Sequence, residues 1–187
     1  MFNQPMYEIL NGKALNRRGY LDVLSGEKDL SEIAGHSSFK AALTSFILGK
    51  IATGVKKGRY LLATNQVGLT IDPGSELILD IAIFNRAGLA LTEKYFDVPP
   101  LVAIEIDVNI EPEEFAGGET DYVHEKTQRL LDFGVERVIW VTTQPKKIFV
   151  ATQTAPWLTQ NWDADVPVLD DVVLNLAGLL KEEEIEV

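Results

Sequence analysis

The sequence predicts an α/β domain in which a mixed central sheet is flanked by helices, and three observations carry that expectation. Apolar runs such as YLLATNQVGLTI, RVIWVT and KIFVAT read as strands. Two further runs, LILDIAIF and LVAIEIDV, are too continuously apolar for a strand with one wet face, so they read as central strands covered on both sides. Two longer segments carry apolar residues at helical spacing, giving the order helix, three strands, helix, two strands.

Taken in order, residues 1–35 are expected to be an irregular N-terminal extension with short helical pieces. Gly35-His36-Ser37-Ser38 then precedes Phe39, Leu43, Phe46, Ile47 and Ile51, an amphipathic helix ending near Gly54. Strands Tyr60–Ile71 and Leu77–Phe84 are separated by the Asp72-Pro73-Gly74 turn, which predicts an antiparallel pair. Leu101–Val108 is the third strand. After the acidic loop EPEEFAGGE, a helix runs from about Thr120 to Phe133 and stops at Gly134, a residue suited to a left-handed cap. Strands Arg137–Thr142 and Lys147–Thr152 follow, and VVLNLAGLL reads as a last helix.

At 187 residues, 46% of them hydrophobic, the chain has length for one sizeable core, so residues 1–187 are expected to form a single domain. The absence of cysteine excludes disulfides and thiolate metal sites, and a cytoplasmic location fits best. No apolar run approaches the ~20 residues of a membrane span, and no basic n-region leads into an apolar stretch. The formal charge of -11 disfavours polyanionic partners, yet residues 163–187 alone contribute -7, through eight acids and Lys181. That segment reads as an acidic C-terminal tail, and the rest of the chain is nearly balanced.

Three charges stand where apolar residues belong. Asp80 interrupts LILDIAIF and Glu105 interrupts LVAIEIDV. A buried carboxylate is costly unless a cation or several donors compensate it, so two in one sheet imply a shared compensator. Lys126 lies in line with Val123, Leu130 and Phe133, on the helical stripe that faces the sheet. Asp107, two residues beyond Glu105, is expected on the same strand face. A structural salt bridge and a functional site both satisfy this pattern, and only the functional one gives it chemistry. Hard oxygen ligands suit Mg2+ or Mn2+, whereas two histidines, His36 and His124, are a poor basis for zinc.

The segments YEILNGK, LILDIAIF, DVPPLVAIEIDV and DYVHEKTQRLLDFGVERVIWVTTQPKKIFV together resemble the Uma-type restriction-endonuclease family, a branch of the PD-(D/E)XK nuclease superfamily. The resemblance spans roughly residues 7–180 and implies a restriction-endonuclease-like core with a divalent-metal site. It assigns Asp80 and Glu105, with the backbone carbonyl of Ile106, as metal ligands, and Lys126 as the lysine that positions the attacking water. Asp107 stands where the superfamily lysine would be, and Leu79 where the family has proline. Glu8 resembles an accessory acidic ligand, although the sequence alone favours a surface glutamate there. His36 matches a family histidine or belongs to a helix cap.

The implied function is metal-dependent hydrolysis of nucleic-acid phosphodiesters, DNA being the expected substrate. The alternative is a nuclease-like scaffold that no longer cleaves and serves as a binding or assembly module. Many enzymes of this architecture are dimers, so a homodimer is expected as a partner arrangement. Lys126→Met is expected to abolish cleavage and spare the fold, because an apolar residue suits that helical face.

Overall fold

The computed structural model describes residues 6–186. Its first element is unexpected. Residues assigned to an irregular extension form a hairpin, β1 (Met6–Leu10) and β2 (Lys13–Asn16). Strands this short complete too few alternations for a period to emerge from sequence. Two short helices follow, α1 (Tyr20–Ser25) and α2 (Leu30–Ala34), and then α3 (Ser38–Gly54). Ser37 caps α3 by accepting a hydrogen bond from the Lys40 amide at 3.1 Å.

β3 (Tyr60–Asp72) and β4 (Ser75–Asn85) pair antiparallel around the predicted turn, where the Gly74 amide donates to the Asp72 side chain. β5 (Val102–Ile106) ends earlier than expected, before Asp107. Helix α4 (Glu119–Phe133) is closed by Gly134 at φ 115, whose amide donates to the carbonyls of Leu130 and Leu131. It connects β5 to the parallel strand β6 (Arg137–Thr142), and β7 (Lys147–Thr152) and β8 (Leu158–Asn161) extend the sheet antiparallel.

The strand order is β2-β1-β4-β5-β6-β7-β8, with β3 on the other edge of β4. One apolar cluster on α4's side includes Leu10, Leu69, Tyr122, Leu130 and Trp140. The other, on α3's side, includes Leu43, Ile47, Ile51, Ile104 and Ile139. The sheet therefore lies between two helical layers, as the continuously apolar strands required.

Residues 163–186 are not a solvated tail. They form the hairpin β9 (Val166–Leu169) and β10 (Val172–Leu174) and the helix α5 (Leu176–Glu182). Val166, Val168, Leu174, Leu176 and Leu180 complete the core beside α3, while the acids point outward between them. VVLNLAGLL is thus a strand followed by a helix, divided at Asn175, whose side chain accepts from the Gly178 amide.

Two irregularities of β4 prepare the site. One edge of β4 is shared: β1 meets it at Glu76, and β5 meets it from Ile81 to Ile83. Between them lies a gap. On the other edge, the pairing with β3 slips by one residue at Asn65 and Gln66, both at positive φ, opposite Asp80. Bulges of this kind re-aim a side chain at the expense of the ladder.

Candidate active site

The gap along β4 is filled by side chains. Ile78 has no strand partner on that edge, and its amide donates to Glu8 Oε2 at 3.0 Å while its carbonyl accepts from Lys126 at 2.8 Å. Buried backbone groups must be paired, and here an ion pair substitutes for a missing rung. Lys126 donates also to Glu8 Oε2 at 2.8 Å and to the Tyr122 hydroxyl at 3.2 Å; that hydroxyl in turn donates to Glu8 Oε1 at 2.6 Å. Glu8 is therefore buried, at 2% exposure, and the surface reading of it is wrong.

Glu105 joins from the end of β5. Its Oε1 lies 2.8 Å from the Lys126 ammonium and forms a buried ion pair with it. Burial pushes the Glu105 carboxyl up to about 8, against the opposing pull of Lys126. Burial acts on Lys126 in the reverse sense, but Glu105 and Glu8 outweigh it and raise the ammonium to about 12. The lysine stays charged and the glutamate stands close to its protonation point.

Asp80 is compensated separately. The expected shared counter-ion does not exist, because Lys126 serves Glu8 and Glu105, while Asp80 pairs with Lys40. The Lys40 ammonium donates to Asp80 Oδ2 at 2.9 Å, to the Ile106 carbonyl at 2.5 Å and to Asn109 Oδ1 at 2.9 Å. The Ile106 amide donates to the same Asp80 oxygen at 2.8 Å. The Ile106 carbonyl, expected to face a metal, thus faces an ammonium. Each helical layer contributes one lysine: α3 sends Lys40, α4 sends Lys126.

Sequence reasoning missed Lys40, although the signal was present. Lys40 stands in line with Leu43, Ile47 and Ile51 on α3, the same stripe argument that identified Lys126. Tyr7 was missed too. Its hydroxyl is buried without a hydrogen-bond partner among the described residues, and burial together with Glu105, Asp80 and Glu8 drives its ionisation far above the ordinary range. It remains a neutral phenol beside three carboxylates.

Asp107 does not share the Glu105 face. With β5 ended at Ile106, it turns at φ 55 and accepts from the amide and hydroxyl of Thr143 at 2.7 and 2.8 Å. His36 is exposed at the mouth of the site, and Ser37 rather than His36 caps α3. Burial, followed by the charge of Lys40, lowers the His36 pKa and keeps the ring neutral near pH 7.

His36, Lys40 and Asp107 line a cleft of about 450 Å³ together with Arg17, Arg18, Lys28, Asn109 and Thr143, and Lys40 connects it to the buried Asp80. A cavity of about 500 Å³ lies instead at the far end of β4, beneath the 85–99 loop, away from the carboxylates. The Lys40 cleft adjoins the charged cluster through Lys40 itself.

No protein-family model and no curated protein matches the sequence. Among solved structures the chain is similar to a candidate nuclease belonging to DUF820 from Anabaena variabilis, with a TM-score of 0.61, covering 75% of this chain and 79% of that one at 18% identity. The fold is restriction-endonuclease-like. At that identity the likeness concerns the restriction-endonuclease-like architecture alone: a mixed sheet between helices, with the Asp80 and Glu105 strands at its centre. No helix among the described residues is long and apolar enough to cross a membrane.

Proposed function

We propose that the chain is a metal-dependent nuclease that hydrolyses phosphodiester bonds of nucleic acid, DNA in the first instance, at the centre formed by Asp80 and Glu105. The observation that carries this reading is the cation already seated there: the Lys40 ammonium is held by a carboxylate, a backbone carbonyl and an amide oxygen at 2.5–2.9 Å. Among the described residues no three His, Cys, Asp or Glu side chains converge as a metal cage. Mg2+ does not need one, since it characteristically takes one or two carboxylates and keeps several waters. Asp80, the Ile106 carbonyl and Glu105 offer hard oxygens, the donor type that suits Mg2+ or Mn2+.

When bound, such an ion supplies an acidified water and charge stabilisation for the phosphate. The protein's own residues have distinct tasks. Lys126 has committed its three protons to Glu8, Ile78 and Tyr122, so it has none left for a water and acts as a positioning residue for Glu105. Arg17, Lys28 and the neutral His36 line the approach that a phosphate backbone would take.

A second reading, the non-cleaving scaffold, is favoured by one observation: both buried carboxylates of the centre already have lysine counter-ions. The test is cleavage of supercoiled plasmid DNA and of RNA with Mg2+, Mn2+ or EDTA. Metal-dependent nicking that disappears in Asp80→Asn and in Glu105→Gln is the expected result. Binding of nucleic acid without cleavage under any metal would leave the scaffold.

A further inference from the structure

We infer that Lys40 is a tethered competitor for the divalent cation: its ammonium occupies the oxygens of Asp80, Ile106 and Asn109, and a metal ion gains them only by displacing the side chain into the adjoining cleft. The inference rests on the reading of the Asp80 centre as a cation site.

The geometry makes the two cations mutually exclusive. Three oxygens converge on the lysine nitrogen at 2.5–2.9 Å, and one carboxylate, Asp80, supplies the formal charge. A dication entering the same oxygen set would sit within van der Waals contact of an ammonium and repel it. The displacement itself is local. Ser37 fixes the Lys40 amide and Thr44 donates to the Lys40 carbonyl at 2.7 Å, so the backbone is held at the start of α3 and only the four-carbon stem has to move. The residue already lines the cleft, which gives its head a solvated destination beside Arg17. Buried as the pair is, at 4% exposure for each residue, the lysine is the member with an exit.

Two consequences follow. Apparent metal affinity is the intrinsic affinity multiplied by the fraction of chains whose lysine is withdrawn. A phosphate in the cleft captures the displaced ammonium, so metal and nucleic acid assist each other's binding.

The experiment is calorimetric titration of Mg2+ and of Mn2+ into the wild-type chain and into Lys40→Gln, whose amide can still donate to Asp80. The expected result is binding at least about tenfold tighter in Lys40→Gln, equivalent to about 1.4 kcal/mol. Equal affinity in the two proteins overturns the competitor role and leaves the nuclease reading standing. Absence of binding in both overturns the competitor and the metal centre together. If Lys40→Gln does not fold, the wild type decides: with 15N-labelled lysine, the ammonium resonance absent from Lys40→Arg should lose its hydrogen-bonded shift as Mg2+ is added. Its persistence in the presence of bound Mg2+ overturns the proposal.

Discussion

A lysine has three protons, and at Lys126 all three are spent inside the protein. Lys126→Met therefore leaves two buried carboxylates without their counter-ion and the Ile78 carbonyl without its donor, and the expectation that it spares the fold gives way to a loss of about 3–5 kcal/mol in urea unfolding. Adding Glu8→Gln to it should recover part of that loss, because Glu105 can take a proton. A wild-type-like midpoint for Lys126→Met would return the residue to a purely chemical role. The same cluster sets a pH dependence. Glu105, raised from 4.5 to about 8, binds its proton more tightly when folded, so its contribution is present below about 4.5 and is lost as pH rises through 8. Lys126, raised from 10.5 to about 12, contributes below 10.5 and loses that contribution only through 12. Between pH 5 and 8 the wild type should thus lose stability relative to Glu105→Gln; parallel curves for the two proteins would refute the shift.

At the scale of elements, the C-terminal hairpin and α5 are core. Removing residues 163–187 deletes Val166, Val168, Leu174, Leu176 and Leu180 from the α3 side, each worth about 1.5–3 kcal/mol when buried. The truncated chain should show no cooperative melt by circular dichroism, and a sharp transition would restore the tail description. This segment also marks where sequence legibility ends. Long strands and helices with many repeats of their period, β3, β4, α3 and α4, were readable to within a few residues, as was the Gly134 stop. The short strands β1, β2, β8, β9 and β10 were not, and with β1 went the burial of Glu8. Asp80, Glu105 and Lys126 stood out because charge interrupts an apolar period there. Which charge meets which was not legible, because that depends on the gap between β1 and β5, a property of strand pairing.

For the whole molecule, net charge and local charge point in different directions. The formal charge of -11 repels nucleic acid at long range, while Arg17, Arg18, Lys28 and Lys40 gather at one cleft. Arg18 is paired with Glu119 and Lys28 with Asp22, which leaves few cations to release condensed counter-ions. Binding to a DNA duplex should therefore have a shallow salt dependence, with a log–log slope no steeper than about −3. Fluorescence anisotropy between low and moderate salt measures it. A slope of about −6 or steeper would move the contact surface away from this cleft.

The side-chain rung across β4 has one more consequence, in isotope exchange. The Ile78 amide hydrogen is retained by a carboxylate instead of a neighbouring strand. Its protection against deuterium thus reports the ionic state of Glu8 and Lys126, while the flanking ladder amides report global opening. Ile78 is a single-proton gauge of the buried charge cluster, readable in the resting protein without substrate, metal or mutation.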